Sequence, residues 1–372
     1  MSQAKPTQRK HLLTMMYRSD FIAFVSLAYN IIHPGKELQK NWHIDVIADA
    51  LHGCLRGEHN RLAIHAPPRS LKSFIASIAF PAFALARDPT LKIMSVVATQ
   101  ELAGDFCQKV VKLLSSDLYR TLFPHIRFER RREAIRLEHG GSFISSPLFK
   151  SPVGRGADIL IVDDPVSPGD AKNDHFNAKA AEWLSAEIVP RLNDKTSSIA
   201  VLVMQRLAKT DLCSAFFPGD PRKTLVFTAV SRREERWELP DGTTYIRPPR
   251  TVLNPKRETL EQLWEIYQSM KFGDFAMQYL QDPYADRYIG GPVYYPFDTT
   301  DWTPDKGGPE RRMLFKNSWY VQYECFGVGA PPPYLAKNPL TAEQEDERIA
   351  WAQAKLLREM QQDLEGDFNF LT

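Results

Sequence analysis

The hydrophobic positions of this chain change their period twice along its length. Up to residue 60 the pattern is helical. DFIAFVSLAYNII is apolar on most sides and runs into His33-Pro34-Gly35, a combination that stops a helix. NWHIDVIADALHGCL puts Ile44, Ile47, Leu51 and Leu55 at helical spacing and ends near Gly57. From 61 to 230 five short runs rich in β-branched and apolar residues take over: RLAIHA (61–66), KIMSVVAT (92–99), DILIVDD (158–164), SIAVLVMQ (198–205) and TLVFTAV (224–230). Four of them are nearly continuous hydrophobic stretches, as expected of strands buried on both faces of a parallel sheet. Helical patterns lie between several of them; Phe106, Val110 and Leu113 form one such stripe. Strands alternating with helices predict a three-layer α/β domain.

Beyond residue 230 the pattern loosens. WELPDGTTYIRPPRTVLNPKRE is charged and turn-rich, and TLEQLWEIYQSMKFGDFAMQYL is helical again. GGPVYYPFDTTDWTPDKGGP and GAPPPYLAKNP read as loops. The last stretch, TAEQEDERIAWAQAKLLREMQQDLEG, predicts a helix with Thr341 and Gln344 as a capping box and Ile349, Leu356, Met360 and Leu364 on one stripe. Such a helix either docks on its own chain or binds a partner.

Composition narrows this little. The 372 residues are 43% hydrophobic and 25% charged, enough for a sizeable core and against global disorder. A net charge of +2 leaves any nucleic-acid contact to a local patch; RFERRREAIRLE (127–138) is the densest basic cluster, and as a hairpin or helix face it needs no such role. Cys54, Cys107, Cys213 and Cys325 are far apart and form no CxxC pair, which speaks against zinc and a disulfide scaffold. No apolar run approaches the ~20 residues that span a bilayer, and no export signal follows the basic N-terminus.

The candidate chemistry begins at HAPPRSLKSF (65–74). A phosphate-binding loop needs a strand leading in, a tight turn of inward-facing amides, and a helix leading out. RLAIHA and LKSFIASIAF supply the strand and the helix. Pro67, Pro68, Arg69, Ser70 and Leu71 would form the turn; Lys72 would reach the β/γ-phosphates and Ser73 would ligate Mg²⁺. Ala66 and Leu71 stand where such loops have glycine. Leu71 is therefore expected at an ordinary φ with its side chain turned away, the prolines stiffening the approach. DILIVDDP ends a buried strand in Asp163 and Asp164, carboxylates of the kind that hold Mg²⁺ and activate water beside a phosphate loop. VLVMQR ends another strand in Gln205-Arg206, polar residues able to touch a γ-phosphate or the attacking water.

Taken together, these segments resemble, in order and over roughly residues 20–285, the ATPase domain of the large terminase subunit of tailed bacteriophages, the DNA-packaging motor. The resemblance implies an ASCE-type P-loop fold with a mostly parallel sheet. With the pattern changes along the chain, it predicts a helical lead-in (1–60), an ATPase core (61–232), a linker or lid subdomain (233–290) and a tail (291–372). It implies ATP and Mg²⁺ as cofactors. It makes Lys72 and Ser73 phosphate and metal residues, Arg69 a cis arginine finger, Asp163 the metal carboxylate, Asp164 the general base at a position where many members have Glu, and Gln205 part of a coupling motif. Trp42 and His43 fall where the family contacts adenine, although both could equally pack their helix onto the core. Arg155 and Arg191 are candidates for a neighbouring subunit's site. Implied partners are double-stranded DNA, a portal protein, a small terminase subunit, further copies in a ring and a separate nuclease, in the cytoplasm of a bacterial host. Asp298, Asp301 and Asp305 lack strands to position them, so no nuclease is expected of this chain. The alternative is a non-catalytic terminase remnant that serves as an assembly protein.

Overall fold

A computed structural model describes residues 6–131, 134–150, 154–216 and 223–283, all within one compact unit that ends at Pro283. Asp298, Asp301, Asp305, Cys325 and the helix expected from Thr341 onward lie outside the described residues.

The strand-forming runs build an eight-stranded sheet, and its parallel part carries the site. In chain order the strands are β1 (Arg61–His65), β2 (Lys92–Val97), β3 (Phe128–Arg131), β4 (Ala134–Leu137), β5 (Ser142–Pro147), β6 (Ile159–Asp163), β7 (Ile199–Met204) and β8 (Lys223–Val226). They lie in the order β3-β4-β5-β2-β6-β7-β1-β8. From β5 to β8 every pairing is parallel, whereas β3–β4 and β4–β5 are antiparallel. The five expected runs are β1, β2, β6, β7 and β8. All five residues of β6 are buried, as the hydrophobic run required. β8 is the edge on its side, and three of its four residues are exposed.

The sequence pattern does not predict β5, and it leaves residues 127–138 as either a hairpin or a helix face. RFERRREAIRLE is the β3–β4 hairpin, an outer pair whose exposed Glu129, Arg130 and Arg131 give no hydrophobic alternation. Charged edge residues of this kind also discourage pairing with other chains. β5 carries Ser145 and Ser146, both buried, so its burial is not legible in its hydrophobicity. A separate antiparallel hairpin joins β9 (Glu235–Glu238) to β10 (Thr244–Arg247). Arg247, fully buried, pairs with Glu235 across this hairpin at 3.0 Å and ties the hairpin down by bonds to the carbonyls of Thr228, Ala229 and Thr251.

Helices cover both faces. On one face lie Phe21–Ile32, capped by the Asp20 side chain, then Trp42–Leu55, the helical stretch 72–87 and Gln100–Ser115. On the other lie Asp174–Trp183 and the π-helical turn Leu184–Ile188 that continues it. The Phe21–Ile32 helix is integral to the core. Phe21 and Phe24 pack against Phe83 with ring centroids 5.1 and 5.3 Å apart, and Phe24 also meets Tyr119 and Phe123. Two further helices follow β10, Leu260–Ser269, with a Thr259/Gln262 capping box, and Phe272–Leu280.

Phe83 is fully buried at the centre of that aromatic cluster. Phe83→Ala is expected to cost about 3–5 kcal/mol, read as a lowered midpoint in urea unfolding with an unchanged slope.

Candidate functional site

The site is built at the C-terminal ends of β1, β7 and β6, the crevice where ligands of open α/β sheets bind. β7 lies between the other two, so the loop after β1 and the acidic end of β6 flank the end of β7. After His65 the chain turns through Ala66–Leu71 and enters a helix at Lys72. That helix contains a π turn, Ile75–Ala79, before it continues as Phe80–Arg87; π turns recur at functional sites.

The helix brings Ser73 and Ser77, one turn apart, against a single carboxylate. Ser73 Oγ donates to Asp163 Oδ1 at 2.9 Å and Ser77 Oγ donates to Oδ2 at 2.5 Å. Asp163 is 1% exposed. Burial first, and the neighbouring Asp164 charge second, push its carboxyl well above the usual range, while Ser77, Lys72 and Ser73 oppose this. The adjacent carboxylate serves the other loop residue. Lys72 Nζ, itself buried, lies 2.9 Å from Asp164 Oδ2. Asp164 Oδ1 accepts the N–H of Gln205 at 3.1 Å, and the Asp164 N–H donates to the Val203 carbonyl at 2.7 Å. Gln205 is buried at the end of β7, and its side-chain Oε1 meets no donor. Lys72, Ser73, Asp163, Asp164 and Gln205 thus come together from three separate segments. Ser73 and Asp163 are hard oxygen donors in contact, a set that suits Mg²⁺.

The turn itself corrects one expectation. Leu71 has φ +66° and Arg69 φ +58°; Leu71 does not take an ordinary φ, and the prolines do not spare the loop its left-handed residues. A Cβ in that region costs about 1–2 kcal/mol. Leu71 is half-buried, and its side chain packs on the core, which offsets part of that cost. Pro67 and Ser70 are buried and Pro68 is half-buried. Ser70 Oγ has no partner.

His43 lies directly behind the loop. Its Nε2 donates to the Ser70 carbonyl at 3.2 Å and its Nδ1 accepts from Asn41 Nδ2 at 2.6 Å, which fixes the neutral tautomer. Burial lowers its pKa to about 4, with the Ser70 bond opposing. Trp42 does not share this position. Adjacent helical residues point about 100° apart, and the Trp42 ring packs 5.0–5.7 Å from Tyr245, Trp237 and Phe227. The half-buried ring thus joins this aromatic cluster. A cavity of about 350 Å³ opens beside the loop, lined among others by Tyr29, Lys36, His43, Arg69, Leu71 and Arg257. The exposed Arg69 side chain faces that cavity.

Arg155 and Arg191 lie elsewhere. The Ala157 N–H donates to the Arg191 carbonyl at 2.9 Å, which puts both arginines before the start of β6 and β7, at the opposite end of the sheet. The basic cluster is also remote. Arg120, Arg127 and Arg136, with Glu129 and Glu138, line a groove of about 750 Å³ beside the β3–β4 hairpin. Arg132 lies outside the described residues.

Sequence reasoning missed Ser77, Asn41 and Arg257. Ser77 had a signal, its i, i+4 spacing from Ser73 on a helix. Arg257 had none, because its partners are 188 and 189 residues away.

No protein-family model matches the sequence, and no curated protein matches it. Among solved structures, the chain is similar to the HK97 bacteriophage large terminase at 15% identity, covering 71% of this chain and 55% of that one, with a TM-score of 0.46. It is also similar to the large terminase ATPase domain of Thermus phage P74-26, at 14% identity and a TM-score of 0.44, covering 68% of this chain and 96% of that one. A point mutant of the same domain aligns at 13% identity with the same coverage. The chain thus spans about half the length of the HK97 protein. Among the described residues no helix is long and apolar enough to cross a membrane.

Two outcomes follow from this geometry. Leu71→Gly is expected to leave stability within about 1 kcal/mol, whereas Leu71→Val, β-branched at a positive φ, loses about 1–2 kcal/mol or more; denaturant midpoints compare them. The buried His43 resists a proton that the unfolded chain accepts near 6.5. Stability is therefore full above that pH and falls as pH drops from 6.5 to about 4, by at most about 3 kcal/mol. His43→Gln, which keeps a donor for Ser70, removes that component of the wild-type pH profile.

Proposed function

We propose that this chain is the ATP-hydrolysing motor subunit of a phage terminase and drives double-stranded DNA into a procapsid. One observation carries the reading. Lys72 and Ser73, at the start of the helix after the β1 loop, meet Asp164 and Asp163, from the end of β6, at 2.9 Å each, with Gln205 just past the end of the strand between. A lysine, a hydroxyl and two carboxylates on neighbouring loops are the parts needed to hold a triphosphate and direct a water at it.

In this reading Lys72 Nζ leaves Asp164 for the β/γ-phosphate oxygens when nucleotide enters. Asp164, released, accepts a proton from the attacking water, and its backbone strain at φ +39° keeps the carboxylate aimed past the strand end. Gln205, with an unpartnered Oε1, orients that water or registers the γ-phosphate. Ser73 and Asp163 would hold Mg²⁺, which neutralises the charge shared by the β- and γ-phosphates. Water and ATP give ADP and phosphate. The cavity lined by His43 and Arg69 lies where the nucleoside would extend from the loop. Arg69 faces that cavity, so its role as a finger on the γ-phosphate requires its side chain to swing across the loop. Oligomerisation into a ring, docking on a portal protein and selection of DNA with a small subunit belong to the same proposal.

The test is DNA-stimulated ATP turnover by the purified full chain beside Lys72→Ala and Asp163→Asn. Each substitution is expected to lower turnover by about a hundredfold or more. Wild-type turnover no higher than that of Lys72→Ala refutes the motor and leaves the assembly-protein alternative.

A further inference from the structure

The ATP-site reading uses Lys72, Ser73, Asp163 and Asp164 but leaves unexplained two contacts on the outer side of the loop. Arg257, in the turn after β10, donates through Nη1 to the Arg69 carbonyl and through Nη2 to the Pro68 carbonyl, the latter at 3.2 Å. His43 Nε2 holds the next carbonyl, that of Ser70, also at 3.2 Å. Three consecutive carbonyls, those of residues 68, 69 and 70, are therefore gripped by side chains from two distant segments.

The chain contains no cis peptide bond among the described residues. In a trans peptide the carbonyl and the following N–H point in opposite directions. Holding carbonyls 68, 69 and 70 from outside therefore aims the N–H groups of Arg69, Ser70 and Leu71 to the inner side. The Ser70 N–H makes a long 3.4 Å bond to the Pro67 carbonyl. Among the described residues the N–H groups of Arg69 and Leu71 make no backbone hydrogen bond. These are the two residues with left-handed φ, the alternation that forms an anion-binding concavity of backbone amides. The geometry points to Arg257 and His43 as positioning residues that set the amide face of the loop for a polyphosphate. This inference deepens the ATP-site reading and rests on it.

The two grips share an anchor. Glu258 Oε1 holds Arg257 Nη2 at 2.6 Å. Asn41 Nδ2, which orients His43, also donates to the Leu253 carbonyl at 2.6 Å. Asn41 is the residue before the Trp42–Leu55 helix, yet its side chain makes no capping bond there; it is turned to this relay instead. Segment 253–258 therefore tensions the loop through both Arg257 and His43, and phosphate affinity depends on where that segment sits. A guanidinium suits the task because two N–H groups of one rigid fork reach two carbonyls, whereas a lysine ammonium is a single flexible point.

The experiment measures dissociation constants of the full chain for ATP and for inorganic triphosphate, by displacement of a fluorescent ATP analogue. Arg257→Ala is expected to weaken both ligands by the same factor, roughly tenfold or more. Turnover at saturating ATP stays within about threefold, a loss in KM and not in kcat. Arg257→Lys lies between Arg257→Ala and wild type. His43→Gln keeps the affinity of the wild type and His43→Ala does not; this pair decides the matter should Arg257→Ala fail to fold. Unchanged affinity in a folded Arg257→Ala overturns the inference while the ATP site stands. So does a loss for ATP with none for triphosphate, which would make Arg257 a contact for the nucleoside. A wild-type chain that binds neither ligand overturns the inference together with the ATP site.

Discussion

The site depends on one buried carboxylate. Asp163 sits at the end of a strand covered on both faces, where an unpaired charge costs several kcal/mol. Two hydroxyls from one helical face, Ser73 and Ser77, occupy its two oxygens. That contact holds the phosphate-loop helix to β6, although β7 lies between β6 and the strand that leads into the loop. The π turn at Ile75–Ala79 widens the helix at the point where Ser77 makes its contact. With Asp163 so held, Asp164 follows it out of the sheet, where Lys72 and the Gln205 amide fix its carboxylate.

Strain gathers around this contact. Six described non-glycine residues have positive φ, and three of them, Arg69, Leu71 and Asp164, belong to the site. Such conformations persist where surrounding contacts over-determine them. Asp164 is held by Val203, Gln205 and Lys72; Arg69 and its neighbours by Arg257 and His43; Leu71 by the packing of its own side chain. A glycine loop would relax into this shape at no steric cost. This loop is instead held in it from outside, which ties its shape to segments distant in the chain.

The parallel part of the fold was legible because hydrophobic runs bounded by polar residues have little choice but to be buried strands. DILIVDD could become only a central strand ending in two carboxylates. The polar pieces were not legible. β5 hides serines in the core, and the charged β3–β4 hairpin has no apolar alternation because an edge strand does not require it. At the site, the residue types at Lys72, Ser73, Asp163, Asp164 and Gln205 were readable from their positions at the ends of strands and the start of a helix. Local order set those positions, and the sheet brought them together.

What the sequence determined by itself was therefore a class of chemistry: a cationic loop, adjacent acids and a polar strand end, each placed by local pattern. Tertiary structure alone decided the rest. It assigned Ser73 to Asp163 and Lys72 to Asp164, forced Leu71 into a left-handed turn, and gave the Trp42 ring to an aromatic cluster while pointing His43 at the loop. It also brought Arg257 across 188 residues to the Arg69 carbonyl. The physical reason is that pattern and propensity act over a few residues, whereas the direction of a carbonyl or the partner of a buried charge depends on which segments the sheet order brings into contact.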